Sequence, residues 1–227
     1  MPGVRGGASL SDPERPARCL GIGGRAGRHH GEPAGAAAMT RAPRWQGGGV
    51  DETWVTLHPL LAGRWSPARF DPEHEVSEAE LASLLEAARW APSAGNSQPW
   101  SFLAGRRGDP VHARLVRHLA GSSARWAPDA GLLVANLCHR YVEDTDWDYS
   151  EFALYDLGQA VAHMTVQAQA VGLSARQFRA FDRAGLAAEF GVPAHWEVTT
   201  MTAFGRAPRV AGTDRDRRSL DEISWPG

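Results

Sequence analysis

A stretch of small and polar residues is the strongest candidate for chemistry in this chain. Residues 91–100 read Ala-Pro-Ser-Ala-Gly-Asn-Ser-Gln-Pro-Trp. The prolines stiffen the backbone, and the small side chains leave its amide groups bare. Such a loop can lie flat against a planar ligand and offer it backbone N–H groups and the carboxamide of Asn96. The alternative is a tight helix-to-strand connection in which Asn96 and Gln98 only cap turns.

One arginine-containing segment could bind a phosphate. Arg64 and Ser66 place a guanidinium and a hydroxyl two residues apart, ahead of a predicted helix, and an arginine fork suits phosphate oxygens. The chain has no Lys, so any phosphate site in it must use Arg. Arg215 and Arg217 form a second basic segment near the C-terminus. Taken alone, these segments are also compatible with a surface arginine beside a turn and with an ordinary charged tail.

The tetrad Asp-Leu-Gly-Gln at 156–159 lies within the longest predicted helix. We interpret Asp156 and Gln159 as a solvated or interfacial helix face rather than as catalytic groups. His163 follows on the same helix, and a packed, hydrogen-bonded role is favoured over acid–base chemistry. No Ser-His-Asp or paired-carboxylate arrangement is evident, so no catalytic side chain is predicted.

The elements that must position these residues are predicted from periodicity and capping. Ser77 and Glu80 form a capping box at the start of a helix, and Pro92 ends that helix. The other predicted elements are a strand from Trp100 to Ala104, a short helix from Asp109 stopped by Gly121, a strand from Gly131 to Leu137, helices from about Ser150 to Val171 and from Arg183 to Phe190, and a strand from Glu197 to Phe204. The pattern indicates mixed helices and strands.

The longest predicted helix carries an apolar seam with the spacing of two helices packed along their length. Its members alternate at three and four residues: Leu154, Leu157, Val161, Met164, Ala168 and Val171. Small residues at Gly158, Ala160 and Ala162 allow another helix to approach closely. We therefore expect this helix to pack against a partner chain.

Composition divides the chain into two parts. Residues 1–48 are rich in Gly, Ala, Arg and Pro and are predicted to be a disordered N-terminal extension; Met39 is a possible alternative start. The net charge of -2 gives no field that would draw the chain to nucleic acid or membrane. No metal-ligand spacing and no membrane-spanning run is present. A soluble cytoplasmic protein without a structural disulfide or metal is expected.

Taken in order, these segments resemble the FMN-dependent nitroreductase family. The pattern Pro-Ser-x-x-Asn-x-Gln-Pro-Trp is matched at every named position from Pro92 to Trp100, and the resemblance covers about residues 57–225. It implies an α+β fold, a mostly antiparallel sheet flanked by helices, in an intertwined homodimer with FMN sites at its interface. Residues 49–227 would form this FMN-binding domain.

The resemblance also implies a set of FMN contacts: Arg64, Trp65, Ser66, Pro92, Ser93, Ala94, Asn96, Arg179, Ala180, Arg215 and Arg217. This chain departs from the family pattern twice. Ala68 stands where the family has a basic residue, and Arg179-Ala180 stands where Glu-Gly or Gly-Gly is common. If Arg179 points inward, its charge would stabilise the anionic reduced flavin. If it points outward, it is one more solvated arginine.

The activity implied by the resemblance is NAD(P)H-dependent reduction of a nitroaromatic, quinone or similar small-molecule electron acceptor, by hydride transfer through FMN. Three alternatives stay open: an FMN oxidase or dehydrogenase acting on a small natural product, a flavin-binding protein that stores or senses FMN without turnover, and a flavin-fragmenting enzyme. The family chemistry needs little from side chains, because the cofactor carries it and the protein supplies position and charge.

Overall fold

The computed structural model describes residues 57–208 and 215–225. The predictions for residues 1–48, including the alternative start at Met39, lie outside this part of the chain. The described residues form an antiparallel sheet with helices on both faces, which confirms the predicted α+β fold.

Four antiparallel strands make up the sheet, in the order β1-β2-β4-β3. They are β1 (Trp100–Arg106), β2 (Leu132–His139), β3 (Ser174–Phe178) and β4 (Trp196–Gly205). The two central strands, β2 and β4, carry most of the buried strand residues. Three of the four strands were predicted. β3 was not, because it is a five-residue edge strand whose Arg and Gln break the apolar pattern.

The helices are α1 (Pro59–Gly63), α2 (Glu78–Arg89), α3 (Pro110–Arg117), α4 (Ala153–Ala170), α5 (Arg183–Phe190) and α6 (Leu220–Ile223). α5 has the predicted bounds, and α2 begins with the predicted capping box. There the Ser77 amide donates to Glu80 Oε2 at 2.8 Å, and the Glu80 amide donates to Ser77 Oγ at 3.2 Å. α1 was missed, because five residues are too few to show a helical period.

Each face of the sheet covers its own apolar core, because successive strand residues point to opposite faces. Val134 of β2 joins Leu84 of α2 and Met164 of α4 in one core. Leu133 joins Leu115 of α3 and Leu186 of α5 in the other. All six side chains are fully buried; burying one such side chain contributes about 1.5–3 kcal/mol. These two cores fix α4 on one face and α3 and α5 on the other.

The apolar seam of α4 packs inside its own chain. Leu157, Val161, Met164 and Ala168 are buried in the core that α4 shares with α2 and the sheet. The expectation that this seam meets a second chain is therefore wrong for these residues, since the helix they pack along is α2. Leu154 is the exception, with 43% exposure. The seam spacing predicted helix-on-helix packing but not its partner, because periodicity carries no information on which helix fills the groove.

The opposite face of α4 is the exposed one. Tyr155 is 69% exposed, and Gly158, Ala162 and His163 are also exposed. In the single chain, His163 is therefore not packed against the core, although its sequence position favoured a packed role. A shift of one residue around a helix turns a side chain by about 100°, so proximity to a buried seam in sequence did not settle its environment.

Candidate functional site

The Arg64–Ser66 segment follows directly after α1 in extended backbone. Arg64 is half-buried, and its Nη1 lies 3.5 Å from Ser66 Oγ. Trp65 points to a cavity of about 260 Å³ between the end of α1 and the turn from α4 to β3. The cavity is lined by Gly63, Trp65, Gln169, Gly172, Leu173, Ser174 and Ala207. The guanidinium and hydroxyl predicted from sequence therefore stand together beside a concave surface.

The C-terminal arginines reach the same place. The pKa of Arg64 is lowered from its usual value, first by burial and then by the positive charges of Arg215 and Arg217. Arg215 also donates a hydrogen bond through Nη2 to the carbonyl oxygen of Ala62, at the end of α1. Two segments from opposite ends of the described chain thus form one cationic cluster.

This arginine cluster, made of Arg64, Arg215 and Arg217, fits an anionic ligand. Within residues 57–208 and 215–225, none of the three forms an ion pair with a carboxylate. Repulsion among them is visible in the lowered pKa of Arg64. A phosphate placed between them would relieve that repulsion and accept charge-assisted hydrogen bonds. The donors therefore suit the terminal phosphate of a mononucleotide.

The second candidate segment, which we call the α2–β1 loop (residues 92–98), is a strained turn. Asn96 and Gln98 adopt positive φ angles of 56° and 47°, and conformations of this kind cost a non-glycine residue about 1–3 kcal/mol. Gly95 shares the left-handed region at φ 58° without that cost. Within the loop, the Gln98 amide donates to Ser93 Oγ at 3.0 Å and the Asn96 amide donates to the Ser93 carbonyl at 3.0 Å.

The side chains of the loop are divided between solvent and the turn itself. Pro92 and Asn96 are exposed, while Ser93 and Ala94 are half-buried. The carboxamide of Gln98 donates to Asn96 Oδ1 at 3.2 Å, so these two side chains do cap the turn as the simpler reading of the sequence expected. The exposed edge of the loop stays available to a neighbour, because the turn uses only part of the hydrogen-bonding capacity of Asn96.

The loop is hydrogen-bonded to α4 through the Asp-Leu-Gly-Gln tetrad. From the sequence, this tetrad was expected to lie on a solvated or interfacial face of the helix. Asp156 is only 2% exposed, and its Oδ2 accepts a hydrogen bond from the Ala94 amide at 3.0 Å. Gln159 Nε2 donates to Asp156 Oδ1 at 3.3 Å and lies 3.5 Å from the Pro92 carbonyl oxygen. The solvated interpretation is therefore wrong for Asp156, and Gln159 is half-buried. A single sequence could not reveal this, because the bonded partner lies far away along the chain.

Arg179 and Ala180 follow the edge strand β3. The Ala180 carbonyl accepts hydrogen bonds from the Ala120 amide at 3.1 Å and from Ser123 Oγ, which fixes this backbone against the segment after α3. The Arg179 side chain is exposed in the single chain. Among the described residues, no hydrogen bond or ion pair engages its guanidinium. In the isolated chain, the Arg179 side chain therefore points outward, into solvent.

Sequence reasoning missed a cation near the departure at Ala68. Arg176 of β3 donates through Nη1 to the Pro67 carbonyl oxygen at 3.0 Å, and its guanidinium lies 4.0 Å from the ring centroid of Trp126. Arg69, the basic residue one position late, is exposed and turns to a different cavity that it shares with Arg125. The sequence signal for this contact was a basic residue in a half-apolar strand. That signal could not be interpreted, because β3 was not predicted from the sequence.

The two halves of the candidate site do not meet within one chain. Asp156, which anchors the loop, lies in the first turn of α4. Gln169, which lines the cavity beside the arginine cluster, lies in its last turn. At 1.5 Å per residue these positions are about 20 Å apart along the helix. The loop and the arginine cluster therefore occupy opposite ends of α4.

Comparison with known proteins shows what this chain is similar to. The model of the nitroreductase family matches residues 61–132, which contain the Arg64–Ser66 segment and the α2–β1 loop. The chain is 28% identical over 188 residues to Protein DrgA of Synechocystis sp., covering 70% of this chain and 88% of that protein. Over residues 61–132 this chain is therefore similar to the nitroreductase family.

Two further relatives of this chain bear on the site. It is 45% identical over 49 residues to the major NAD(P)H-flavin oxidoreductase of Aliivibrio fischeri, an alignment that covers 20% of this chain and 22% of that protein. A solved structure from Desulfovibrio desulfuricans, described as a nitroreductase in complex with FMN, shares 27% identity at a TM-score of 0.63. That match covers 76% of this chain and 98% of the other.

Metal sites and membrane-spanning helices find no support in the described part of the chain. Among residues 57–208 and 215–225, no cluster of three or more His, Cys, Asp or Glu side chains could hold a metal ion. None of the described helices is long and apolar enough to cross a bilayer.

Proposed function

We propose that this protein is an FMN-dependent oxidoreductase that takes reducing equivalents from NAD(P)H and passes them to a small acceptor such as a nitroaromatic or a quinone. The observation that carries the proposal is the arginine cluster beside a cavity in a nitroreductase-fold chain, three cations that pair with no carboxylate among the described residues. FMN, when bound, supplies the two-electron chemistry between NAD(P)H and the acceptor.

The chain's own residues bind and orient the cofactor. Arg64, Arg215 and Arg217 would hold the terminal phosphate, and Ser66 Oγ would donate to the same end of the molecule. FMN ends at this phosphate, whereas the adenylate group of FAD would have to extend beyond the arginine cluster. The arrangement thus favours FMN over FAD. Trp65 and the backbone after β3, at Arg179 and Ala180, would line the remainder of the site.

The α2–β1 loop would supply amides and the Asn96 carboxamide to the flavin ring. Because the loop and the arginine cluster lie at opposite ends of α4, the loop that completes one site must come from a second chain. Two copies packed antiparallel along the exposed α4 face would bring each loop to the other chain's arginine cluster. We therefore propose an obligate homodimer with two equivalent sites. In the dimer, Tyr155, Gly158 and Ala162 would be contact residues.

We propose the cytoplasm as the place of action. The described cysteine, Cys138, is a buried free thiol, which fits a reducing compartment. That compartment also supplies the NAD(P)H on which the proposed reaction depends.

One absorption experiment tests the proposal. The purified protein should show the two visible bands of an oxidised flavin, and FMN rather than FAD should be released on denaturation. Anaerobic NADPH or NADH should bleach the bands, and a nitroarene or a quinone should restore them with turnover. A colourless protein that binds no added FMN contradicts the proposal. Bound FMN that neither nucleotide reduces would instead favour a storage protein or an oxidase whose reductant is its own substrate.

A further inference from the structure

We infer that Asp156, assisted by Gln159, is a positioning residue that holds the α2–β1 loop in the conformation that contacts the flavin. The inference rests on the proposed function. It assigns to α4 a role beyond core packing, because the helix would carry the loop as well as the proposed dimer contact. Asp156 does not touch the flavin in this assignment; it acts through the backbone of Ala94.

The first support is the environment of the carboxylate. Asp156 is 2% exposed on a helix whose neighbouring turns are packed in an apolar core. Among the described residues, no Arg or His forms an ion pair with it. Its described partners are the Ala94 amide at 3.0 Å and the Gln159 carboxamide at 3.3 Å. A buried carboxylate is costly unless its oxygens accept hydrogen bonds, so the bond to the loop amide is a principal compensation for burying it.

The second support is that the loop needs an external anchor. Its positive φ angles at Asn96 and Gln98 are unfavourable for residues with a β-carbon, and its internal hydrogen bonds join residues at most five apart in sequence. Ala94 opens the short 3₁₀ turn at residues 94–96, so its amide is one of those that the turn itself leaves unpaired. Asp156 accepts from that amide, while Gln159 Nε2 approaches the Pro92 carbonyl oxygen at 3.5 Å. Asp156 and Gln159 therefore contact the loop backbone on both sides of Ser93.

The first experiment replaces the carboxylate with an isosteric amide. In Asp156→Asn, the negative charge is lost and one of the two acceptor oxygens becomes an NH₂ group, so the Ala94 amide and the Gln159 carboxamide no longer each have their own acceptor oxygen. FMN affinity of the dimer should fall about tenfold, and the visible circular dichroism of the bound flavin should change. Hydrogen exchange of the 92–98 backbone should become faster.

The matched control is Asp109→Asn. Asp109 also accepts from a backbone amide, that of Arg106 at 3.3 Å, but it stands at the N-cap position of α3, on the other side of the sheet. This variant should lower thermal stability without altering the flavin spectrum or the FMN dissociation constant. If Asp156→Asn behaves like Asp109→Asn, the carboxylate has only a structural role and the inference is wrong.

A second variant removes the other partner of the bond. Ala94→Pro deletes the donor N–H, and the site tolerates proline because Ser93 is extended at φ -147° and ψ 151° and Ala94 has helical backbone. The effects of Asp156→Asn and Ala94→Pro on FMN affinity should not add in the double variant, since Asp156→Asn weakens the contact that Ala94→Pro removes. Additive effects of the two substitutions on FMN affinity would overturn the inference, even where Asp156→Asn alone lowers the stability of the protein.

The readouts separate this inference from the proposed function. If the unaltered protein binds no FMN, the proposed function fails. Exchange of the loop amides in the same variants then decides alone whether Asp156 orders the loop. If the unaltered protein binds FMN and Asp156→Asn changes neither affinity, flavin spectrum nor exchange, the proposed function stands and the positioning role is refuted.

Discussion

Arg215 donates a hydrogen bond to the carbonyl oxygen of Ala62, and this contact joins the C-terminal segment to the end of α1. It places Arg215 and Arg217 close enough to Arg64 for their charges to lower its pKa. Among residues 57–208 and 215–225, no carboxylate neutralises these three cations. The cluster is thus preorganised for an anion, and binding should relieve repulsion as well as form new hydrogen bonds.

The first prediction concerns the phosphate grip. Arg64→Ala should weaken FMN binding by about 1.5–3 kcal/mol, the usual value of a charge-assisted hydrogen bond. Arg217→Ala should have a smaller effect, because its side chain is more exposed and better screened. Fluorescence titration of FMN measures both. Arg69→Ala is the matched control, since Arg69 lines a separate cavity; equal losses at Arg64 and Arg69 would remove Arg64 from the site.

The second prediction concerns Arg179. If its exposed side chain turns toward the flavin of the assembled dimer, it stabilises the negative charge of the reduced ring. Arg179→Ala should then lower the midpoint potential, by about 20 mV for each ~1 kcal/mol lost from a two-electron couple. Hydride transfer from NAD(P)H should also slow, whereas FMN affinity should fall less than in Arg64→Ala. A redox titration beside the exposed control Arg125→Ala decides it: equal potentials would make Arg179 a solvated residue.

The third prediction concerns the exposed face of α4. A side chain added at Gly158 meets nothing within 4 Å in its own chain, so Gly158→Arg should fold but should clash across the proposed dimer contact. Sedimentation of the unaltered protein should give one species near twice the 24.5 kDa chain mass. Gly158→Arg should give monomers with little bound FMN. Ala113→Arg, on the exposed face of α3, should stay dimeric; an FMN-bound monomer of the unaltered protein would refute the dimer.

The fourth prediction is a pH dependence. Burial raises the pKa of the Cys138 thiol from an ordinary value of 9.0 to about 11. The folded chain therefore holds this proton more tightly than the unfolded chain, and stability is fully present below about pH 9. Between about pH 9 and about pH 11 the free energy of unfolding should fall, by at most about 2–3 kcal/mol for a shift of this size.

Urea denaturation from pH 7.5 upward measures this dependence. Few other groups titrate in the window, because the chain has no Lys and only 3 Tyr. Cys138→Ala should be less stable at neutral pH, since it loses buried sulfur, but its stability should decline less between pH 9 and 11. Parallel curves for the two proteins would show that the thiol does not titrate in this range.

The fifth prediction concerns residues 1–48. Their Gly-, Ala-, Arg- and Pro-rich composition offers little to a core, so we expect the FMN-binding domain to be independent of them. A chain beginning at Met39 should keep the melting temperature and the flavin content of the full chain. A marked loss of either would show that the preceding residues stabilise the domain.

The sequence by itself determined the local structure and the chemical identity of the candidate site. The capping box at Ser77 and Glu80 and the bounds of α5 follow from interactions within a few residues. The polar loop pattern from Pro92 to Trp100 and the Arg64–Ser66 pair are also local patterns, and the family match contains both. Local patterns of this kind can be recognised in the sequence because the residues that form them are neighbours along the chain.

Tertiary structure decided which distant residues those patterns meet. The seam of α4 packs on α2 instead of a second chain, and Asp156 is buried beneath Ala94 instead of facing solvent. Arg176, which no sequence pattern singled out, reaches the Pro67 carbonyl. Each of these outcomes depends on contacts between residues far apart in sequence, and hydrophobic periodicity is the same whichever surface a buried stripe meets. The separation of the loop from the arginine cluster along α4 is visible only in the folded chain. That separation is the reason for proposing a site completed by a second chain.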